Sequence, residues 1–213
     1  RYIKGRRDLS TEQTRKGSGG QVQNPILSSL PLETAVPRPR LIASIAPPGS
    51  KLTYIHADAG YGKTTLLMQY AGGRNDVVWV SLDNRNVDLT FFLRQLEDAL
   101  RKKMPRFDFH ASDHLRFSKS KGFIPNTLSA LLGAIGRRKF TLFLDDVHFL
   151  ADSVAIDLLT RLVRGCPSNL TLIMASRQEL WSSLFRLKME GKIAKTPIKI
   201  KKPAVKKPTA LYV

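Results

Sequence analysis

The residues best suited to chemistry lie in one loop, where an apolar run ends and a Gly-Lys-Thr sequence follows. The run is Leu-Thr-Tyr-Ile-His at 52–56, and Ala-Asp-Ala-Gly-Tyr-Gly-Lys-Thr-Thr follows at 57–65. A strand, a glycine-bearing loop and a helix that opens with Lys-Thr are typical of a phosphate-binding loop, the P-loop. Gly60 and Gly62 allow close approaches that a Cβ atom would block. The loop N–H groups can then point at phosphate oxygens, helped by the positive end of the helix.

We predict that ATP or ADP binds to this loop. The predicted contacts are Ala59, Gly60, Tyr61, Gly62, Lys63, Thr64 and Thr65. Lys63 would place its ammonium against the β- and γ-phosphates, and the Thr64 hydroxyl would bind Mg²⁺. The pattern departs from the usual one at Ala57, which replaces the first glycine, but alanine is the smallest replacement and we expect the loop to be kept. The alternative is a glycine turn that only joins a strand to a helix.

Two adjacent carboxylates follow a second apolar run, Phe-Thr-Leu-Phe-Leu at 140–144. Asp145 and Asp146 at the end of a buried strand would repel each other and lose hydration unless a cation were present. Mg²⁺ held by Asp145 and Thr64 would relieve that cost. Asp146 could then orient or deprotonate the attacking water. The alternative is a solvated turn in which Asp146 caps the helix near residue 151.

Apolar runs alternate with helical patterns through the middle of the chain. We predict strands at 52–57, 77–81, 140–145 and 170–175, and helices at 41–45, 63–72, 89–103, 125–136 and 151–165. This alternation indicates an α/β fold with a parallel sheet covered by helices on both faces. Ligands bind such sheets at the carboxyl ends of the strands.

The composition changes at both ends of the chain, which suggests three regions. They are a flexible leader at 1–30, a P-loop ATPase domain at 31–190, and a basic Lys/Pro tail at 191–213 with at most one short strand. The net charge is +18, of which residues 1–20 carry +4 (six cations, two acids) and residues 186–213 carry +8 (nine cations, one acid). Blocks of like charge at chain ends are usually disordered and solvated. We therefore predict disordered basic tails.

The charge also suggests a second function, because basic tails attract polyanions without sequence preference. A basic, non-specific nucleic-acid-binding NTPase is therefore the alternative to a nucleotide switch. A stand-alone NTPase with a small substrate is a third hypothesis, although no substrate-binding lid is recognisable.

Cysteine content and hydropathy indicate the compartment. The single cysteine, Cys166, excludes an internal disulfide and suits a reducing environment. No uncharged run is long enough to span a bilayer, and no secretory signal opens the sequence. We expect a cytoplasmic protein that does not bind membranes. Because the first residue is Arg1, we also expect a fragment of a longer protein.

Five separated motifs resemble those of the ATPase domain in the maltose-regulon activator (MalT-like) type of bacterial transcription regulator. They are Val-Pro-Arg-Pro-Arg-Leu at 36–41, Ala-Gly-Tyr-Gly-Lys-Thr-Thr at 59–65, Val-Trp-Val-Ser-Leu-Asp at 78–83, Phe-Leu-Asp-Asp-Val-His at 143–148 and Ala-Ser-Arg at 175–177. These regulators are LuxR-class proteins and members of the signal-transduction (STAND) P-loop ATPases, of the ASCE type.

The resemblance implies a switch in which inducer and ATP favour an open, self-associating form and ADP favours a closed monomer. It implies that Arg38 lies near the adenine and that Arg177 senses the nucleotide; we place Arg177 with Lys63 and Asp146 in the catalytic group. The family continues into a superhelical sensor and a C-terminal helix-turn-helix, which are missing from this sequence. We therefore expect DNA to be read only through a missing domain.

Several of these candidate residues have an ordinary structural alternative. Arg38 and Arg177 could be surface arginines, and Asp83 could cap a loop. His148 could contact phosphate, although a role in stabilising its loop is the simpler expectation. His110 and His114 have a metal-ligand spacing but lack a third ligand nearby, which argues against zinc.

Overall fold

A computed structural model of the chain describes residues 35–179, 182–191, 193 and 198–200. These residues contain a sheet of five parallel strands in the order β2-β3-β4-β1-β5. The strands are β1 (Leu52–His56), β2 (Val77–Ser81), β3 (Phe140–Asp145), β4 (Leu170–Ser176) and β5 (Ile198–Lys199). The four longer strands confirm the sequence-based prediction.

Helices connect the strands. They are α1 (Pro39–Ala43), α2 (Lys63–Ala71), α3 (Leu89–Lys103), α4 (Ala111–Leu115), α5 (Phe123–Ile135), α6 (Ser153–Arg164) and α7 (Ser182–Met189). Short 3₁₀ helices lie at Asn84–Val87 and Val147–Phe149. The predicted helices are confirmed within two residues at each end, whereas α4 and α7 were not predicted. No helix in the described part of the chain is long and apolar enough to cross a membrane.

The sheet separates two apolar layers, and β3 shows how the sequence divides between them. Leu142 and Leu144 belong to the layer under α3, α5 and α6, whereas Phe143 belongs to the layer under α2. Phe143 meets the edge of Trp79 with ring centroids 5.0 Å apart. Side chains alternate between the two faces of a strand, so an apolar run in a sheet covered on both sides fills both layers. The predicted parallel sheet with helices on both faces is confirmed.

The Lys/Pro region contributes one short strand to the sheet, which is the most that the sequence analysis allowed for it. Strand β5 pairs with β1, and Ile193 bridges to Leu52. Ile193 and Ile200 are apolar residues spaced at intervals among the lysines, and both are buried. The sheet therefore continues past residue 190, where we expected the ATPase domain to end. The predicted leader at 1–30 and the remainder of the tail lie outside the described residues.

Helix α6 begins with an aspartate cap, which we predict to contribute measurably to stability. Asp152 Oδ1 accepts hydrogen bonds from the N–H groups of Val154 (2.7 Å) and Ala155 (3.0 Å). The cap is thus Asp152 and not Asp146, so the alternative role considered for Asp146 is wrong. We expect Asp152→Ala to lower the free energy of unfolding by about 1 kcal/mol. Urea denaturation measures this, with Asp152→Ser as a control that restores a side-chain acceptor. An equal loss in both variants would contradict the capping explanation.

Candidate functional site

The loop between β1 and α2, residues 57–62, has the backbone shape that its glycines allow; we call it the glycine loop. Gly60 and Gly62 have φ angles of 76° and 80°, in the left-handed region that other residues rarely adopt. Gly62 is also the N-cap of α2 and brings no side-chain acceptor to the first turn. The first N–H groups of α2 are thus left for another acceptor at the positive end of the helix.

Ala57 stands where the usual pattern has a glycine, and the backbone explains why alanine fits. Among the described residues other than glycine, only Ala46 and Asp146 have positive φ, so Ala57 does not need glycine's freedom. Its N–H donates to the carbonyl of Ser176 at 3.2 Å, which continues the pairing of β1 with β4. The alanine side chain is buried in the layer under α2.

The Lys63 side chain lies inside the glycine loop. Its Nζ donates to the carbonyls of Ala57 (2.8 Å) and Asp58 (3.1 Å), and the residue is only 6% exposed. Burial lowers the pKa of Lys63, while the nearby charge of Asp146 acts in the opposite direction. The loop therefore holds a cation that is removed from water at the carboxyl edge of the sheet.

The other predicted contact residues line the same loop or the first turn of α2. Ala59 and Gly60 are exposed, and Tyr61 and Thr65 are half-buried. The glycine loop thus presents an open backbone surface on the side away from the core.

Thr64 and Asp145 are brought together, although they are far apart in the sequence. Thr64 Oγ1 donates to Asp145 Oδ2 at 2.8 Å, and Asp145 is 2% exposed. Burial raises the pKa of Asp145 to about 6, partly offset by the Thr64 hydrogen bond. A hydroxyl oxygen beside a desolvated carboxylate is a donor set that suits a hard divalent cation such as Mg²⁺. The residues therefore fit the predicted metal.

The raised pKa of Asp145 predicts a pH-dependent difference in stability. The pKa of Asp145 is about 6 in the folded state, against an ordinary value of 3.8. The protonated carboxyl therefore stabilises the fold below about pH 4, and this contribution is lost as the pH rises through about 6. Asp145→Asn removes the buried charge, so we expect the variant to be more stable than the wild type by about 1–3 kcal/mol at pH 7 without Mg²⁺. The difference should vanish near pH 4. Urea denaturation at several pH values measures it, and a constant difference across the range would argue against a buried charge.

Asp146 adopts a left-handed conformation, with φ 56° and ψ 41°. Aspartate tolerates this region better than most residues. The turn lets its N–H donate to Asp145 Oδ1 at 3.0 Å. It also brings two basic side chains towards Asp146 Oδ1, namely Arg177 Nε at 3.8 Å and His148 Nδ1 at 3.6 Å.

Arg177 reaches the site because of the strand order. Since β4 lies between β1 and β3, the residue after β4 lies between the glycine loop and the aspartate pair. The Arg177 side chain is about half exposed, and its backbone carbonyl lies 3.1 Å from His56 Nε2. Its long ion pair with Asp146 brings the Arg177 side chain beside the aspartate pair.

Arg38 contacts the glycine loop directly, although it is distant in sequence. Its Nη1 donates to the carbonyl of Tyr61 at 3.1 Å. Its guanidinium also lies against Gly62, where an added Cβ would be 3.4 Å from Nη2. Arg38, which lies just before α1, therefore packs against the glycine loop and donates to it. An exposed arginine in a linker would make no such contacts.

Asp83 and His148 were considered in the sequence analysis but lie outside the predicted site group. Asp83 caps a 3₁₀ helix by accepting from the Arg85 N–H at 2.9 Å, which is the structural alternative that we considered for it. His148 lies near the aspartate pair, with its Nδ1 3.6 Å from Asp146 Oδ1. Its ring lies beside Phe149 with centroids 4.3 Å apart, and burial lowers its pKa.

The chain is similar to curated bacterial regulators. It is 31% identical over 149 residues to the HTH-type transcriptional regulator MalT of Klebsiella pneumoniae, in strain 342 and in subsp. pneumoniae strain ATCC 700721 / MGH 78578. It is 32% identical over 153 residues to the MalT of Serratia proteamaculans strain 568. Each match covers 68% of this chain and 16% of the relative, so the chain spans about a sixth of the length of these relatives.

Two further comparisons add little. No protein-family model matches the chain. The solved structure titled "Structure of C. elegans PCH-2" aligns with a TM-score of 0.38 and 17% identity, covering 70% of this chain and 35% of that one. A likeness of that extent supports no inference.

Proposed function

We propose that this chain is a P-loop NTPase module of the STAND type, which binds ATP and ADP with Mg²⁺, hydrolyses ATP slowly and acts as a switch within a MalT-like transcription regulator. The observation that carries the proposal is the contact of Thr64 with Asp145, at the end of a glycine loop that encloses Lys63. Sequence similarity to MalT supports the regulatory context. We place the module in the cytoplasm.

The glycine loop would hold the phosphates of the nucleotide. The two glycines with positive φ have no side chain that could block the N–H groups of the loop. The first turn of α2 adds positive potential. Lys63 would exchange its two carbonyl partners for oxygens of the β- and γ-phosphates, a stronger pairing because both partners are charged. Arg38, resting on the loop at Gly62, would border the adenine side of the nucleotide.

Hydrolysis would depend on the aspartate pair and Arg177. Thr64 and Asp145 would hold Mg²⁺, which neutralises charge on the β- and γ-phosphates. Asp146 would accept the proton of the attacking water, because its Oδ1 lies near Arg177 at the carboxyl edge of the sheet. Arg177 would turn from Asp146 towards the γ-phosphate, where its guanidinium opposes the developing negative charge. After the γ-phosphate has left, Arg177 would pair with Asp146 again.

In the whole regulator, an inducer and self-association would accompany the ATP-bound state. Specific DNA binding would belong to another part of the regulator. The chain itself would bind DNA only weakly, through the basic ends that carry 12 of its 18 net positive charges.

Titration of the purified chain with ATP and ADP, with and without Mg²⁺, tests the proposal. We expect saturable binding of one nucleotide per chain, with ATP affinity increased by Mg²⁺. Inorganic tripolyphosphate and a DNA duplex serve as controls for the basic ends, and their binding should weaken steeply with salt. If the chain prefers neither nucleotide over tripolyphosphate at physiological salt, the basic-tail alternative is the better explanation.

A further inference from the structure

We propose that Tyr54 and His56 of β1 are positioning residues, which fix the backbone after β4 so that the Arg177 side chain can reach the γ-phosphate of ATP. We call residues 176–179 the Arg177 turn. The inference rests on the proposed function and deepens it, because it names what would set the preference of the site for ATP over ADP. Neither Tyr54 nor His56 belongs to the five sequence motifs.

The first observation is a buried hydroxyl that bonds to the Arg177 turn. Tyr54 is 1% exposed and packs in the layer under α3, α5 and α6. Its hydroxyl donates to the carbonyl of Gln178 at 3.0 Å and lies 3.5 Å from the carbonyl of Glu179. Burial raises the pKa of Tyr54, so the hydroxyl keeps its proton and remains a donor. An apolar ring would fill the same layer, so the hydroxyl is the part of this residue that acts on the turn.

The second observation is that His56 holds the same turn one residue earlier. His56 Nε2 lies 3.1 Å from the carbonyl of Arg177. A carbonyl oxygen can only accept, so Nε2 carries the proton and donates. Tyr54 and His56 are two residues apart in one strand, and their side chains therefore lie on the same face of β1. The two side chains hold two successive carbonyls of the turn.

The third observation is that the backbone of the turn is also held from within. The Ser176 hydroxyl accepts from the Gln178 N–H at 2.9 Å, and the Ala57 N–H donates to the Ser176 carbonyl at 3.2 Å. The Arg177 side chain, in contrast, is about half exposed, and its Nε lies 3.8 Å from Asp146 Oδ1. A fixed backbone with a mobile side chain suits an arginine that exchanges a carboxylate for a phosphate.

This arrangement has different consequences for the two nucleotides. Ordering a binding group in advance lowers the conformational entropy that is lost on binding. ADP has no γ-phosphate for Arg177 to reach. The hydrogen bonds from Tyr54 and His56 should therefore strengthen the binding of ATP and leave the binding of ADP nearly unchanged.

Substitutions that remove one donor at a time test the inference. Tyr54→Phe keeps the ring and removes the hydroxyl, and we expect it to lower the ratio of ATP affinity to ADP affinity about three- to tenfold, the effect of one ordinary hydrogen bond. ADP affinity should stay within about twofold of wild type. His56→Leu should act in the same way, whereas His56→Gln, which keeps an N–H near the position of Nε2, should recover most of the ratio. Tyr70→Phe is the matched control, because the Tyr70 ring packs in the opposite layer, near Phe143 and Arg74.

Two further measurements separate positioning from a general loss of stability. In an Arg177→Ala background, Tyr54→Phe should not lower the affinity ratio further, because the arginine that it positions is gone. Without nucleotide, amide hydrogen exchange in the Arg177 turn should be faster in Tyr54→Phe than in Tyr70→Phe.

The affinities are measured by calorimetry with Mg²⁺, ADP and a non-hydrolysable ATP analogue. The inference is overturned if Tyr54→Phe weakens both nucleotides equally, if its effect persists without Arg177, or if Arg177→Ala itself leaves the ratio unchanged. If the wild-type chain binds neither nucleotide, the proposed function fails, and this inference fails with it.

Discussion

Lys63→Ala is expected to weaken ATP binding by at least about tenfold. The buried ammonium donates to two carbonyls inside the glycine loop and would transfer these bonds to phosphate oxygens. Hydrogen bonds to charged groups contribute about 1.5–3 kcal/mol each, and a loss of 1.4 kcal/mol is about tenfold in affinity. Calorimetric titration with ATP and Mg²⁺ measures the change.

Two controls separate lost binding from lost structure. Lys51→Ala removes another lysine that donates to a backbone carbonyl, that of Cys166, but it lies at the opposite end of β1. It should bind ATP like the wild type. Thermal unfolding of Lys63→Ala without nucleotide should show a folded protein, because removing a buried cation also removes its desolvation cost. Unchanged ATP affinity in a folded Lys63→Ala variant would refute the nucleotide site.

Asp146→Asn is expected to lower the rate of ATP hydrolysis about a hundredfold while leaving nucleotide affinity nearly unchanged. A positioned general base typically contributes about 10²–10⁴ to a rate, and an amide cannot accept the proton. Asparagine tolerates the left-handed backbone at this position, so the turn and its hydrogen bond to Asp145 should persist. Phosphate release under saturating ATP measures the rate.

The neighbouring variant provides the contrast. Asp145→Asn should instead lose the increase in ATP affinity that Mg²⁺ provides, because Asp145 lies against Thr64. If Asp146→Asn hydrolyses ATP at the wild-type rate, the assignment of Mg²⁺ binding to Asp145 and proton acceptance to Asp146 is wrong.

Sequence reasoning succeeded where local pattern and burial agree. β3 is an apolar run that is buried along its whole length, and α3 has apolar residues at helical spacing, so both were predicted with correct bounds. The meeting of Thr64 with Asp145 was predictable from chemistry, because both lie at the carboxyl ends of strands in one parallel sheet.

The features that sequence reasoning missed depend on distant contacts. The sequence analysis allowed one short strand in the tail but did not locate it, because β5 has two residues and exists through its pairing with β1. Helix α7 is short and follows the last long strand, with only Leu184 and Leu187 buried. The approach of His148 Nδ1 to Asp146 Oδ1 depends on the left-handed turn at Asp146, which residue spacing does not reveal.

The central place of β4 in the sheet has a thermodynamic consequence for any domain that binds beside it. Arg177, at the end of β4, is separated by only four residues from α7, and the Tyr54 hydroxyl donates to the carbonyl of Gln178 between them at 3.0 Å. Phe185 and Met189 are exposed on α7. If another domain binds α7 better when Arg177 faces a phosphate, that domain must tighten nucleotide binding by the same factor, because coupling between two sites is reciprocal. The affinity for that domain and the affinity for nucleotide would then report one coupling free energy.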